Sequence, residues 1–136
     1  MATNEKFRPG DKISLPVPAG TLSGAPLRIG GLTGLNAVAA TDRAVVDVSP
    51  TNANGTINTG YNYGGGNPHG NASCWLDGAH EFTVAFAIAS VMTPVYIVIA
   101  TNALTDTANA GANPLYGHAL TTKSAPSGPL TVRIAN

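Results

Sequence analysis

Charge is what this chain has least of. Only 10% of its 136 residues are Asp, Glu, Lys or Arg, against about 25% in ordinary soluble domains. Seven basic residues balance seven acidic ones. Nucleic-acid binders neutralise phosphates with clustered Lys and Arg, whereas the cations here are scattered singly from Lys6 to Arg133, which argues against a DNA or RNA partner. With so little long-range repulsion between copies, association is expected instead. Cys74 is the only cysteine, which excludes an intrachain disulfide and a thiolate cage for zinc. Long apolar runs are also missing. The longest, Val95-Tyr96-Ile97-Val98-Ile99-Ala100, falls far short of the ~20 residues of a membrane helix, so no membrane partner is expected. Met1-Ala2-Thr3-Asn4-Glu5 has no basic region followed by an apolar stretch, so nothing reads as a secretory signal and synthesis in the cytoplasm is expected.

Glycine and proline, by contrast, are abundant. Sixteen Gly and ten Pro interrupt the chain, and no apolar i, i+3, i+4, i+7 pattern survives long enough for a helix. The expectation is an all-β protein of seven to nine short strands, a small β-sandwich of jelly-roll type or a partly open barrel. Residues 1–10 read as an extended N-terminal arm that ends at the Pro9-Gly10 turn signal. Residues 11–136 read as a single β domain, consistent with a length that supports one core.

Lys12-Ile13-Ser14-Leu15-Pro16-Val17 alternates polar and apolar residues, and Pro16 assigns it to a sheet edge. Leu27-Arg28-Ile29 and Leu32-Thr33-Gly34-Leu35 read as strands around the Gly30-Gly31 turn. Arg43-Ala44-Val45-Val46-Asp47-Val48 has the composition of a strand. In Glu81-Phe82-Thr83-Val84-Ala85-Phe86, the residues Phe82, Val84 and Phe86 share one face. The run from Val95 to Ala100 predicts a strand buried on both faces. Leu104, Leu115 to Leu120, and Leu130 to Ile134 supply the remaining strands.

Residues 49–72, rich in Gly, Asn and Tyr, read as a long insertion. Loops of this length inside compact domains are uncommon and usually functional or mobile. Tyr61, Asn62 and Tyr63 form its most interface-like stretch, since Tyr supplies contact area at small entropic cost while Asn and Gly adapt. A loop that stays disordered until it meets a partner is the competing reading.

The groups that could do chemistry are dispersed. His69, His80 and His118 lie in different segments without metal-ligand spacing. Cys74 could act as a nucleophile beside His80, but a free Cys is more often a small buried hydrophobe. Asp77 and Glu81 flank Gly78 and read as solvated turn residues rather than a glycosidase pair. Gly64-Gly65-Gly66 lacks the Lys-Ser/Thr and following helix of a phosphate loop. Asn71-Ala72-Ser73 matches the glycosylation sequon, a pattern common by chance. These residues predict no enzyme and no cofactor or metal.

Two groups of motifs, in order and spacing, carry a resemblance over nearly the whole chain. The first is Phe7-Arg8-Pro9-Gly10-Asp11 followed by Gly24-Ala25-Pro26-Leu27-Arg28-Ile29-Gly30-Gly31-Leu32-Thr33-Gly34. The second is Asp77-Gly78, Phe82-Thr83-Val84, Thr93-Pro94-Val95-Tyr96, Leu104-Thr105, Asn113-Pro114-Leu115-Tyr116-Gly117-His118-Ala119-Leu120 and Leu130-Thr131-Val132-Arg133-Ile134. Together they resemble the capsid decoration, or cement, proteins of tailed phages. Departures concentrate between about Thr41 and Ser73.

The resemblance implies a subunit that binds the outer surface of the head at junctions between major capsid proteins and forms a homodimer or homotrimer there. It implies that the subunit stiffens the expanded shell and catalyses nothing. It also implies a docking role for Thr3, Asn4, Lys6, Phe7, Arg8 and Pro9, with the arm pairing to a strand edge of the capsid protein and Phe7 filling a pocket. The expected location is the virion surface. The alternative expectation is a head- or tail-displayed β domain that binds surface glycans through Trp75 or through Tyr61 and Tyr63.

Overall fold

The computed structural model describes residues 12–136. It is nearly all β, with nine strands in two curled, antiparallel sheets. The first sheet contains β1 (Lys12–Pro16), β2 (Pro26–Ile29), β3 (Leu35–Ala39) and β4 (Asn71–Trp75), in the order β1-β4-β3-β2. The second contains β5 (Ala79–Val84), β6 (Pro94–Ile97), β7 (Leu104–Thr105), β8 (Leu115–Ala119) and β9 (Gly128–Ile134), in the order β5-β9-β8-β6-β7.

Side-chain size explains how the four-stranded sheet curls. Cross-strand register places Leu27 opposite Ala37, Ala39 opposite Cys74, and Ala72 opposite Leu15, all on one face. Ala37, Ala39, Ala72 and Cys74 are small and fully buried, and they form one core with Leu27 and Val17. Small residues on the inner face of a curved sheet let its strands close around a narrow interior. The opposite face carries Val38 and Trp75, which join the larger core built on the five-stranded sheet from Phe82, Val84, Val95, Ile97, Leu130 and Val132. β3 is therefore buried on both sides.

The sheets are tied together by polar groups as well as by apolar packing. Asn36, 1% exposed, donates from Nδ2 to the carbonyls of Leu115 (2.9 Å), Tyr116 (3.2 Å) and Ala135 (2.6 Å). Its Oδ1 accepts from Arg28 Nη1 at 2.8 Å. The Asn136 amide behaves as an extra peptide unit, accepting from Asn36 N–H at 2.8 Å and donating to Asn36 C=O at 2.9 Å. Tyr116 packs edge-on against Phe82 with ring centroids 5.7 Å apart, and its hydroxyl donates across to Ala37 C=O at 2.8 Å. Burial pushes the Tyr116 phenol far above its ordinary pKa, so it stays protonated and keeps donating.

Several strands differ from their sequence patterns. Pro16 does lie on an edge strand, and Phe82 and Val84 do point inward. Gly34 permits the β2–β3 hairpin, because a Cβ there would sit 1.8 Å from Ile29 O. Residues 43–48, however, form no strand and contribute only a bridge between Val45 and Asn62. The run from Val95 to Ala100 pairs only as far as Ile97. Within it Val95 and Ile97 are fully buried while Tyr96 is partly exposed, an alternating pattern in place of the expected two-sided burial.

Candidate interaction surface

The segment from residue 40 to residue 70 crosses between β3 and β4 with hardly any aliphatic core of its own, so side-chain amides fix its path. Asn54 Oδ1 accepts from Thr56 N–H, Asn58 Oδ1 from Gly60 N–H and Asn62 Oδ1 from Gly64 N–H, at 3.1, 2.9 and 2.8 Å. Each is an Asx turn, in which the side chain stands in for a backbone acceptor two residues earlier. Asn58 Nδ2 donates to Ser49 C=O at 2.8 Å, and Asn67 Nδ2 to Gly64 C=O at 2.7 Å. Bridges at Val45–Asn62 and Thr51–Ile57 complete a narrow excursion. Gly64 adopts φ +58, and a Cβ on it would lie 2.4 Å from Ala44 Cα, so the glycine run serves to bring the loop against residue 44.

Asp42 anchors this segment to the first sheet. Its Oδ1 accepts from Ser23 N–H at 2.8 Å and its Oδ2 from Asn62 Nδ2 at 3.1 Å. The Ser23 bond first, and the Asn62 bond second, hold its carboxyl below the ordinary carboxylate range. Asn62 is thus an internal brace. Tyr61 is half-buried, and of the three residues singled out by sequence only Tyr63 offers its ring to solvent, at 66% exposure.

Sequence patterns did not single out the other exposed apolar side chains. Ile57, 80% exposed, follows the Asn54-Gly55 turn at the end of the excursion. Val91 and Met92 stand at another turn, where Met92 has φ +69 and donates its N–H to Ala119 C=O at 2.7 Å, next to partly exposed Leu120. A non-glycine residue in this region of backbone space is uncommon, and local composition gives no signal for it.

The residues considered for chemistry are kept apart. Cys74 is fully buried in the core of the four-stranded sheet, where burial pushes its thiol up to about 11. A thiol so protonated is a poor nucleophile at neutral pH. His80, on the five-stranded sheet, places Nε2 2.9 Å from Asp77 C=O. His69 Nδ1 lies 3.3 Å from both Val46 N–H and Asp47 Oδ1. It can accept from the first only when unprotonated and donate to the second only when protonated, so the two contacts alternate. Among the described residues no three His, Cys, Asp or Glu side chains converge as a metal site. Trp75 packs partly buried against the larger core, with Lys12 Nζ 5.3 Å from its ring centroid. Thr3, Asn4, Lys6, Phe7, Arg8 and Pro9 lie outside the described residues.

Compared with known proteins, the chain matches no family model, no curated protein and no solved structure.

Proposed function

We propose that this protein is a decoration subunit that covers the outside of a tailed-phage head, bridging neighbouring major capsid proteins and holding the expanded shell together. The observation that carries this reading is the set of apolar side chains presented on fixed backbone. Ile57, Tyr63, Val91 and Met92 are each more than half exposed, yet they stand on turns pinned by hydrogen bonds. Preordered protrusions lose little conformational entropy on docking. Many copies, each contributing a modest contact, sum to a strong effect on a closed lattice.

The full-length resemblance to cement proteins supports the same reading, as does a formal net charge of zero, which lets copies sit side by side. In this proposal the protein works as a homodimer or homotrimer on the shell, without catalysis. The glycan-binding alternative has less support. Sugar platforms need an open aromatic face, and Trp75 lies against the core with Lys12 over its ring.

The test is uptake by shells. Purified protein mixed with expanded heads that lack it should co-sediment until a fixed number of copies per capsid subunit is reached. Failure to co-sediment at micromolar concentration would reject the proposal.

A further inference from the structure

Three of the four sheet edges are blunted against unwanted pairing. β1 carries Lys12 and Pro16, β2 carries Pro26 and Arg28, and β7 is two residues long. Proline, cations and short length are the usual means by which edges avoid recruiting another strand. β5 has none of them. It runs six residues, pairs with β9 in unbroken register from Ala79 to Val84, contains no proline or lysine, and bears one carboxylate, Glu81.

The outer side of β5 opens onto a cleft of about 520 Å³ lined by residues 81–85 on one wall and by residues 102–104 with Ser23, Gly24 and Pro26 on the other. Five consecutive residues line the first wall. A sheet face would present alternate residues, so the cleft runs along the backbone edge of the strand. Because the five-stranded sheet curls, its two edges, β5 and β7, face each other across the gap. A folded sheet edge from another molecule is too broad to enter between two walls. A single extended strand fits.

We propose that this cleft accepts residues 2–9 of a second copy of the chain as an added strand along β5. The inference rests on the reading that copies sit side by side, and it assigns the arm to a neighbouring subunit in place of the capsid protein. Reach excludes the molecule's own segment. Lys12, Trp75, Val38 and Pro26 form one cross-strand row, so Lys12 stands three strand spacings, roughly 14 Å, from the rim of the cleft. Three residues separate Pro9 from Lys12 and span at most about 11 Å. Residues 2–9 of the same molecule therefore cannot lie wholly within it. The chemistry also matches. Phe7 would meet the apolar part of the lining, Phe82, Val84 and Leu104, Lys6 and Arg8 flank it with charge opposite to Glu81, and Pro9, which has no N–H, would end the pairing.

Amide hydrogen exchange on the full-length protein tests this. At high protein concentration the amides of residues 81–85 that face the cleft should exchange at least tenfold more slowly than on dilution. Added peptide of residues 2–9 should restore their protection in dilute protein, and a scrambled peptide should not. Exchange independent of concentration would overturn the proposal, as would indifference to the peptide. Protection that appears only when shells are added would assign the donor strand to the capsid protein and equally overturn it. Because shell uptake is measured separately, the exchange result can fail while the decoration role stands.

Discussion

At the scale of single residues, Asn36 carries more of the architecture than any one apolar side chain. Its amide serves three carbonyls of the opposite sheet and one guanidinium while almost wholly buried. Leaving a buried acceptor unpaired costs about 1–3 kcal/mol. Asn36→Ala strands carbonyls of Leu115, Tyr116 and Ala135, and is expected to lower unfolding stability by about 3 kcal/mol or more. Tyr116→Phe removes one bond, to Ala37, and should cost about 1 kcal/mol. Urea denaturation with an unchanged m-value checks both. Equal losses for the two variants would show that the sheets are held together by packing alone. Nothing in the sequence around Leu35-Asn36-Ala37 marks this asparagine. Its partners lie about 80 to 100 positions away, and only the meeting of two sheets brings them to it.

At the scale of elements, period-two alternation located β1, β5 and β9 because each buries one face and wets the other. The same reasoning failed at residues 43–48, where β-branched composition is present but no neighbouring strand is offered for pairing beyond the bridge to Asn62. It failed again beyond Ile97, where the chain turns through residues 98–101 despite continuous apolar character. In the insertion, composition identified a loop but not its order, since Asx turns need only an Asn and a free N–H two residues on.

Asp42 makes that order dependent on pH. Its pKa in the folded protein is lowered, so its contribution is complete above the ordinary value of 3.8 and is lost as the pH falls through the lower folded value. Limited proteolysis by an acid-active protease should therefore cut within residues 49–67 faster as the pH drops below about 3.8. Asp42→Asn should show fast cutting at every pH. Cutting of the original protein at a rate independent of pH would remove Asp42 as the anchor.

At the scale of the whole molecule, two curled sheets share β3, buried on both sides, and hold apolar protrusions and one open strand edge in fixed relation. The resemblance to cement proteins was visible in the order of Gly, Pro and aliphatic motifs. The surface that would perform the role was not, because exposure of Ile57 or Met92 depends on turns formed by distant partners. A subunit that binds across junctions must add resistance to the shell, since separating capsid subunits would then break its contacts too.

The most direct measurement is the thermal disruption temperature of expanded heads lacking this protein, before and after saturation with it. A rise of several degrees on saturation, reversed when the protein is removed, is the result expected. An unchanged disruption temperature on heads that carry a full complement of the protein would contradict the account.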